Sequence, residues 1–281
     1  MTLNPFIGIG LRHPHYQKVL EDRPSIEWFE VHSENFFHNG GPTLNVLFKI
    51  REHYPISLHG IGLSLGSASG LDENHLSHLK KLINSVNPFL VSEHLSWNTI
   101  NQFHLPDLLP IPYNQESFDV FAKNIIKTQD FLNREILIEN PSSYLEYHSS
   151  DRDEAEFLVK LCQKTGAKIL LDINNIFVSC SNHGWDAQKY IDKIPVDLVK
   201  EIHLAGHSSQ EISPEKTLLI DTHNNSVCTE VWELYGYALQ KLGTIPTLLE
   251  WDADIPSLDF LMKEASKALN YVTLKKPHEK T

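Results

Sequence analysis

Imidazoles and carboxylates recur in this chain where short apolar runs end. EVHSEN carries Glu30, His32, Glu34 and Asn35; SLHG carries His59; SEHLSW carries Glu93 and His94. IEN carries Glu139 and Asn140, and LDINN carries Asp172, Asn174 and Asn175. IHLAGH carries His203 and His207, LIDTH carries Asp221 and His223, and LLEWDAD carries Glu250, Asp252 and Asp254. Such groups are costly to leave unpaired beside apolar strand residues. A cluster of cations satisfies several of them together. Nitrogen and oxygen donors without thiolate suit zinc, iron or manganese, and a carboxylate shared between two ions makes the site multinuclear. A lone strand-end histidine such as His59 is more often a hydrogen-bonded structural residue. A lone carboxylate such as Glu139 or Asp172 is as readily a helix cap or ion-pair partner. Metal binding is therefore read from the coincidence across six strands, not from any one residue.

The elements that must position these groups are eight short runs, at 6–11, 26–31, 55–59, 89–93, 135–139, 168–172, 199–204 and 247–250. Most are β-branched or Leu-rich and bounded by Gly, Pro, Asn or His, as buried parallel strands should be. Helical spacing appears between them at 71–86, 114–132, 151–166, 228–243 and 255–272, several with an acidic first turn and one closed by Gly166. Repeated strand–helix alternation predicts an α/β fold, a single (β/α)8 TIM barrel over 1–275 with a polar tail at 276–281. An open doubly wound sheet usually shows a Gly-rich phosphate loop after its first strand, and GIGLRH is too short a match. In a barrel all strand ends face one mouth, so distant ligands converge there.

The 281 residues include 24 Lys+Arg against 36 Asp+Glu, a net charge of −12, and 16 histidines. The negative balance argues against a nucleic-acid partner, since phosphate binding depends on Lys and Arg. No apolar run reaches the ~18 residues of a membrane span, and the first twenty residues do not read as a signal peptide. Cys162, Cys180 and Cys228 are scattered, so a disulfide framework or Cys-based zinc site is not expected and a reducing cytoplasm fits. Cys162 and Cys228 read as helix-face fillers, and His53, His75, His78 and His148 as solvated. Trp28, Trp97, Trp185 and Trp251 lie near strand ends, where they would line a pocket or roof the barrel. Asp254 reads as the start of the last helix.

Ten ordered motifs carry a resemblance over nearly the whole chain: GIGLR, EVHSENFF, SLHGIGLSLGS, SEHLSW, LPIPY, ILIENPSSY, LLDINNIFVS, EIHLAGH, IDTH and LLEWD. The chain resembles the multinuclear non-haem iron-dependent oxidative enzymes, once catalogued only as a domain of unknown function, whose best-known type is the methanobactin-biosynthesis oxidase. The resemblance implies a xylose-isomerase-like TIM barrel with two or three iron ions, mixed ferrous and ferric, at its mouth. It implies O2-dependent oxidation of cysteine in a ribosomally made precursor peptide, with a separate peptide-binding partner protein. The ligand positions that carry over are His59, His94, Glu139, Asp172, Asn175, His203, Asp221, His223 and Glu250. Glu139 takes the bridging place, His59 and His94 hold one ion, and Asp221 with His223 the outermost. His207 and Asp252 are expected behind the ligands. The ligand order is also similar to endonuclease IV, where a histidine stands in the place of Asn175. An amide oxygen is a weaker, harder ligand than imidazole. The alternative reading is a zinc or manganese hydrolase or isomerase of the endonuclease IV or xylose isomerase type; a metal-storage module is the non-enzymatic one.

Overall fold

Period-two alternation along the short runs sends Trp28, Glu30 and His32 to one face of their strand and Phe29 and Val31 to the other. The structure is a computed structural model that describes residues 6–38, 40–100, 103–214 and 216–272. The expected tail at 276–281 lies outside them. In chain order the strands are β1 (Ile7–Gly10), β2 (Trp28–His32), β3 (Ile56–His59), β4 (Leu90–His94), β5 (Trp97–Ile100), β6 (Phe103–Leu109), β7 (Leu137–Glu139), β8 (Lys168–Asp172), β9 (Val199–Leu204), β10 (Ser208–Ser213), β11 (Lys216–Ile220) and β12 (Thr247–Leu249). The helices are α1 (Tyr16–Asp22), α2 (Pro42–Arg51), α3 (Glu73–Val86), α4 (Gln115–Leu132), α5 (Glu154–Thr165), α6 (Ile173–His183), α7 (Ala187–Lys193), α8 (Thr229–Leu242), α9 (Leu258–Ser266) and α10 (Ala268–Val272).

Eight strands close in the order β1–β12–β9–β8–β7–β4–β3–β2, every neighbour parallel. The expected eight-stranded parallel α/β barrel is what forms. Its outer faces (Phe29, Val31, Ile56, Leu58, Ile138, Ile169, Leu171, Ile202) pack into the helical shell as one core. The opposite faces line the lumen. There, Trp28, Leu137, Leu170 and Leu248 are buried at the positions that alternate with the acids and histidines above them. Gly8 must lack a side chain, because a Cβ there would stand 2.3 Å from the Trp28 ring.

The five expected helices appear, with Asp72, Asn114, Asp153 and Ser257 capping four of them through backbone N–H groups. Helices α1, α2, α6 and α7 have no counterpart in the sequence reading. Three are short or open on Pro, and α6 is rich in Asn and Ser, so none shows a strong apolar stripe. Two antiparallel hairpins, β5–β6 after β4 and β10–β11 after β9, are also unforeseen. Their exposed, mixed-polarity strands lack a buried face to betray them. Asp254 does not start the last helix: Ser257 caps it, while Asp254 sits at φ 48° and accepts from Asn224 Nδ2 at 3.1 Å.

Candidate metal centre

The C-terminal ends of the barrel strands share one rim. Alternation places His32, His59, His94, Glu139, Asp172 and His203 on the lumen face, joined by Glu250 just past β12. Three groups form there. In the first, His59 Nε2 and His94 Nε2 lie 3.3 and 3.2 Å from Glu139 Oε2. That oxygen is buried and has no hydrogen-bond partner. The other ring nitrogens are engaged. His94 Nδ1 lies 3.1 Å from the Gly60 carbonyl, which can only accept, so Nδ1 bears the proton and Nε2 keeps its lone pair. His59 Nδ1 lies 2.7 Å from Ser92 Oγ. A ring held from behind, with its free nitrogen aimed at a carboxylate, is how metal-binding histidines are oriented.

The second group joins Glu139, Asp172 and His203, one ligand atom from each within 4.8 Å of the others. Glu250 Oε2 is 3.1 Å from His203 Nδ1. Asp172 spends Oδ1 on capping α6, accepting from Asn175 N at 2.6 Å, while its buried Oδ2 has no partner. Glu139 belongs to both groups. The third group is nearer solvent: His223 Nε2 is 2.6 Å from Asp221 Oδ1, and His223 Nδ1 faces Glu250 Oε2 at 3.4 Å. Asn175 stands beside the first two groups. Its amide nitrogen donates to the Asn140 carbonyl at 3.1 Å and to Glu139 Oε1 at 3.4 Å, and its oxygen accepts from Ser142 at 2.7 Å.

His207 lies behind these groups, whereas Asp252 faces the mouth, with one ligand atom within 4.8 Å of those of His32 and Glu250. His207 Nδ1 is 2.8 Å from Asn174 Oδ1, and Asn174 donates to Asp221 Oδ1 at 2.7 Å. Asp252 pairs with Arg12 and lies 3.2 Å from His223 Nδ1. The sequence reading left Arg12 without a role, although it continues the inward face of β1 beyond Gly10; its Nη2 is 3.2 Å from His32 Nε2 and 3.7 Å from Glu250 Oε1. The same reading names Glu30 without giving it a ligand place and does not name Glu201; their oxygens lie 3.4 and 3.7 Å from His203 Nε2. Alternation along β2 and β9, extended one step inward, was the signal that marked them.

Protonation follows from crowding. Burial, reinforced by the neighbouring His94, keeps His59 well below the usual histidine range, and burial lowers His94 to about 4. Burial raises Glu139 well above the carboxylate range, and raises Asp172 to about 7 with help from Asp221. Glu201 rises to about 8 through burial and the facing Glu30. Burial opposes charge on His203, but Glu30 and Glu250 outweigh it and hold the ring well above its ordinary range. Neutral imidazoles at His59 and His94 beside acids that resist ionisation, with orphaned oxygens on Glu139 and Asp172, fit a cluster of divalent or trivalent cations: N and O donors, carboxylate sharing, no thiolate. Cys162 and Cys180, both pushed up by burial, sit on helices and not in the lumen.

Above the groups opens a cavity of about 640 Å³, within the range of small-molecule or side-chain sites. His104, Leu105 and Leu108 of the β5–β6 hairpin wall one side, and Tyr144, whose hydroxyl accepts from Asp221 N at 2.9 Å, another. None of Trp28, Trp97, Trp185 or Trp251 lines it. Trp28 fills the lumen instead, and Trp185 stacks on His183.

The family described as RiPP precursor modification enzyme MbnB/TglH/ChrH matches residues 6–273. The chain belongs to that family. A UPF0276 protein of Vibrio parahaemolyticus is 46% identical over 265 residues, spanning 94% of this chain and 92% of its own. A UPF0276 protein of Caulobacter vibrioides is 46% identical over 271 residues, 95% of each chain. Among solved structures, a xylose isomerase domain-containing protein from Salmonella typhimurium superposes with a TM-score of 0.63 at 12% identity, covering 96% of this chain and 97% of that one. D-psicose 3-epimerase from Clostridium cellulolyticum gives 0.62 at 10% identity over 96% and 98%. Endonuclease IV from Thermus thermophilus gives 0.58 at 12% over 96% and 100%. These likenesses establish the barrel and nothing finer. Membership in the MbnB/TglH/ChrH family makes the protein an enzyme with a peptide-modifying role and a ribosomally made precursor peptide as its substrate class. No helix among the described residues is long and apolar enough to cross a membrane.

Proposed function

We propose that this protein is a multinuclear, iron-dependent, O2-using oxidase that modifies cysteine residues of a precursor peptide, presented by a separate peptide-binding protein. The observation that carries the reading is Glu139, buried and shared between two imidazole–carboxylate groups, with an oxygen left unpaired. His59, His94 and Glu139 would hold one ion; Glu139, Asp172, His203 and Glu250 a second, with Asn175 beside them; Asp221 and His223 a third. When bound, the irons would acidify a substrate thiol and supply electrons to dioxygen.

The remaining work falls to the chain. Ser92 and the Gly60 carbonyl keep the Nδ1 sides of His59 and His94 occupied, which leaves Nε2 of His94 as a donor with no proton to lose. Asn174 and Tyr144 orient Asp221 from its side chain and its backbone. The β5–β6 hairpin shields one flank of the cavity from water, where an extended cysteine-bearing segment would lie. The amide at Asn175, a poorer zinc donor than imidazole, and the acidic surface favour this reading over the endonuclease-like one. Protein prepared without oxygen and loaded separately with Fe(II) or Zn(II), then given the precursor peptide, its partner and O2, tests it. Iron is expected to support turnover; full activity with zinc and none with iron would overturn it.

A further inference from the structure

A second set of ligand-type side chains lies outside the lumen, behind the loop that follows β3. Glu34 stands in the short turn after β2, His75 in the first turn of α3, and Glu93 on the outward face of β4, next to His94. His75 is thus not solvated as expected from sequence; Phe37 packs on it at 4.9 Å, edge to face. One ligand atom from each of the three lies within 4.8 Å of the others. Glu93 is 2% exposed, and its Oε1 has no hydrogen-bond partner. Glu34 Oε2 and His75 Nε2 are also buried and unpartnered. Glu34 Oε1 is held in place by the backbone N–H groups of Ile61 and Gly62, at 3.0 and 2.8 Å, and lies 3.4 Å from His75 Nε2. The loop glycines make the space: a Cβ on Gly60 would fall 1.9 Å from Glu93 Oε1, and one on Gly62 would fall 3.1 Å from His75 Cε1.

We propose that Glu34, His75 and Glu93 form a separate, mononuclear site for a divalent transition-metal cation such as zinc. Carboxylate oxygens and an imidazole nitrogen are zinc donors, and three protein ligands leave a fourth position to water. A dication compensates the buried Glu93 carboxylate, whose Oε1 is otherwise unmatched beside the half-buried Glu34, where an uncompensated charge is expensive. Its role is structural. It ties the turn after β2, α3 and β4 to the 60–62 loop, whose Gly60 carbonyl holds His94. The site does not depend on which metal or reaction the lumen supports.

The test uses the full chain, stripped with a chelator and crystallised with Zn2+ alone, with anomalous maps recorded at the zinc edge. A peak bounded by Glu34, His75 and Glu93 is expected, distinct from any peak in the lumen and lost in His75→Ala while lumen peaks persist. In solution, Glu139→Gln should retain one tight zinc equivalent and a zinc-dependent rise in Tm, both abolished on adding His75→Ala. No density at the triad under conditions that fill the lumen, as expected if Glu93 simply shares a proton with Glu34, would overturn the proposal. So would a peak that survives His75→Ala.

Discussion

Glu139 and Glu154 are equally hidden, at 1% and 2% exposure, yet they keep opposite company. Glu154 opens α5 outside the barrel. Tyr113 donates its hydroxyl to one carboxylate oxygen at 2.5 Å and Tyr190 to the other at 2.8 Å. Burial lifts its carboxyl to about 7, and both oxygens still have partners. Glu139 is raised too, but its Oε2 faces two imidazole nitrogens that have no proton to offer where His94 is concerned. Burial and a raised pKa therefore do not mark a functional acid. Unspent lone pairs pointing at other unspent lone pairs do, because a metal cation or a proton must come between them to remove the cost.

The sharpest way to break this contrast is Glu139→Gln, which keeps volume and removes the anionic oxygen. Lumen metal, by elemental analysis, and peptide turnover should both collapse, turnover by about 100-fold or more, as befits a lost bridging ligand where loss of a supporting partner alone costs ~10–100-fold. The circular dichroism should stay native, since the acid sits at the rim. Full metal content in Glu139→Gln would erase the distinction. Ser92→Ala comes next. It removes the group behind His59 Nδ1 and leaves every ligand in place, so metal affinity should weaken by about 10–100-fold, read by chelator competition.

Glu154→Gln should leave metal content untouched and act on stability alone. An acid whose folded pKa lies above its unfolded value of 4.5 adds stability while protonated, and that contribution disappears as pH rises through about 7. The full span is worth roughly 3 kcal/mol. The neutral amide escapes this loss, so the Tm of Glu154→Gln relative to the native protein should climb by several degrees between about pH 5 and pH 8. A pH-independent difference would show that the tyrosines already hold Glu154 ionised.

Much of the barrel was legible beforehand because buried parallel strands are short, apolar and punctuated, and α3, α4, α5 and α9 carry caps and apolar stripes. Helix α6 was not, because its Asn and Ser residues serve the rim: Asn175 and Asn174 both face ligands there. The hairpins escaped because their strands bury no face. At the centre, His59, His94, Glu139, Asp172, His203 and Glu250 were named from their places at strand ends, and they do meet. Arg12, Glu201 and the meeting of His75 with Glu34 and Glu93 were not foreseen, and Glu30, Glu34 and Glu93 were legible only as strand-end acids, since nothing in a linear reading says which side of a strand end is dry.

Residue order alone was enough to imply an eight-stranded barrel with imidazoles and carboxylates gathered at one rim, because strand periodicity and the alternation of strand with helix are local properties. Which nitrogen of His94 is free, which oxygen of Glu139 goes unmatched, and whether Glu93 looks into the lumen or away from it depended on barrel closure. Those outcomes turn on partners thirty to two hundred residues distant, and hydrogen-bond satisfaction is a property of the packed neighbourhood that no stretch of chain carries by itself.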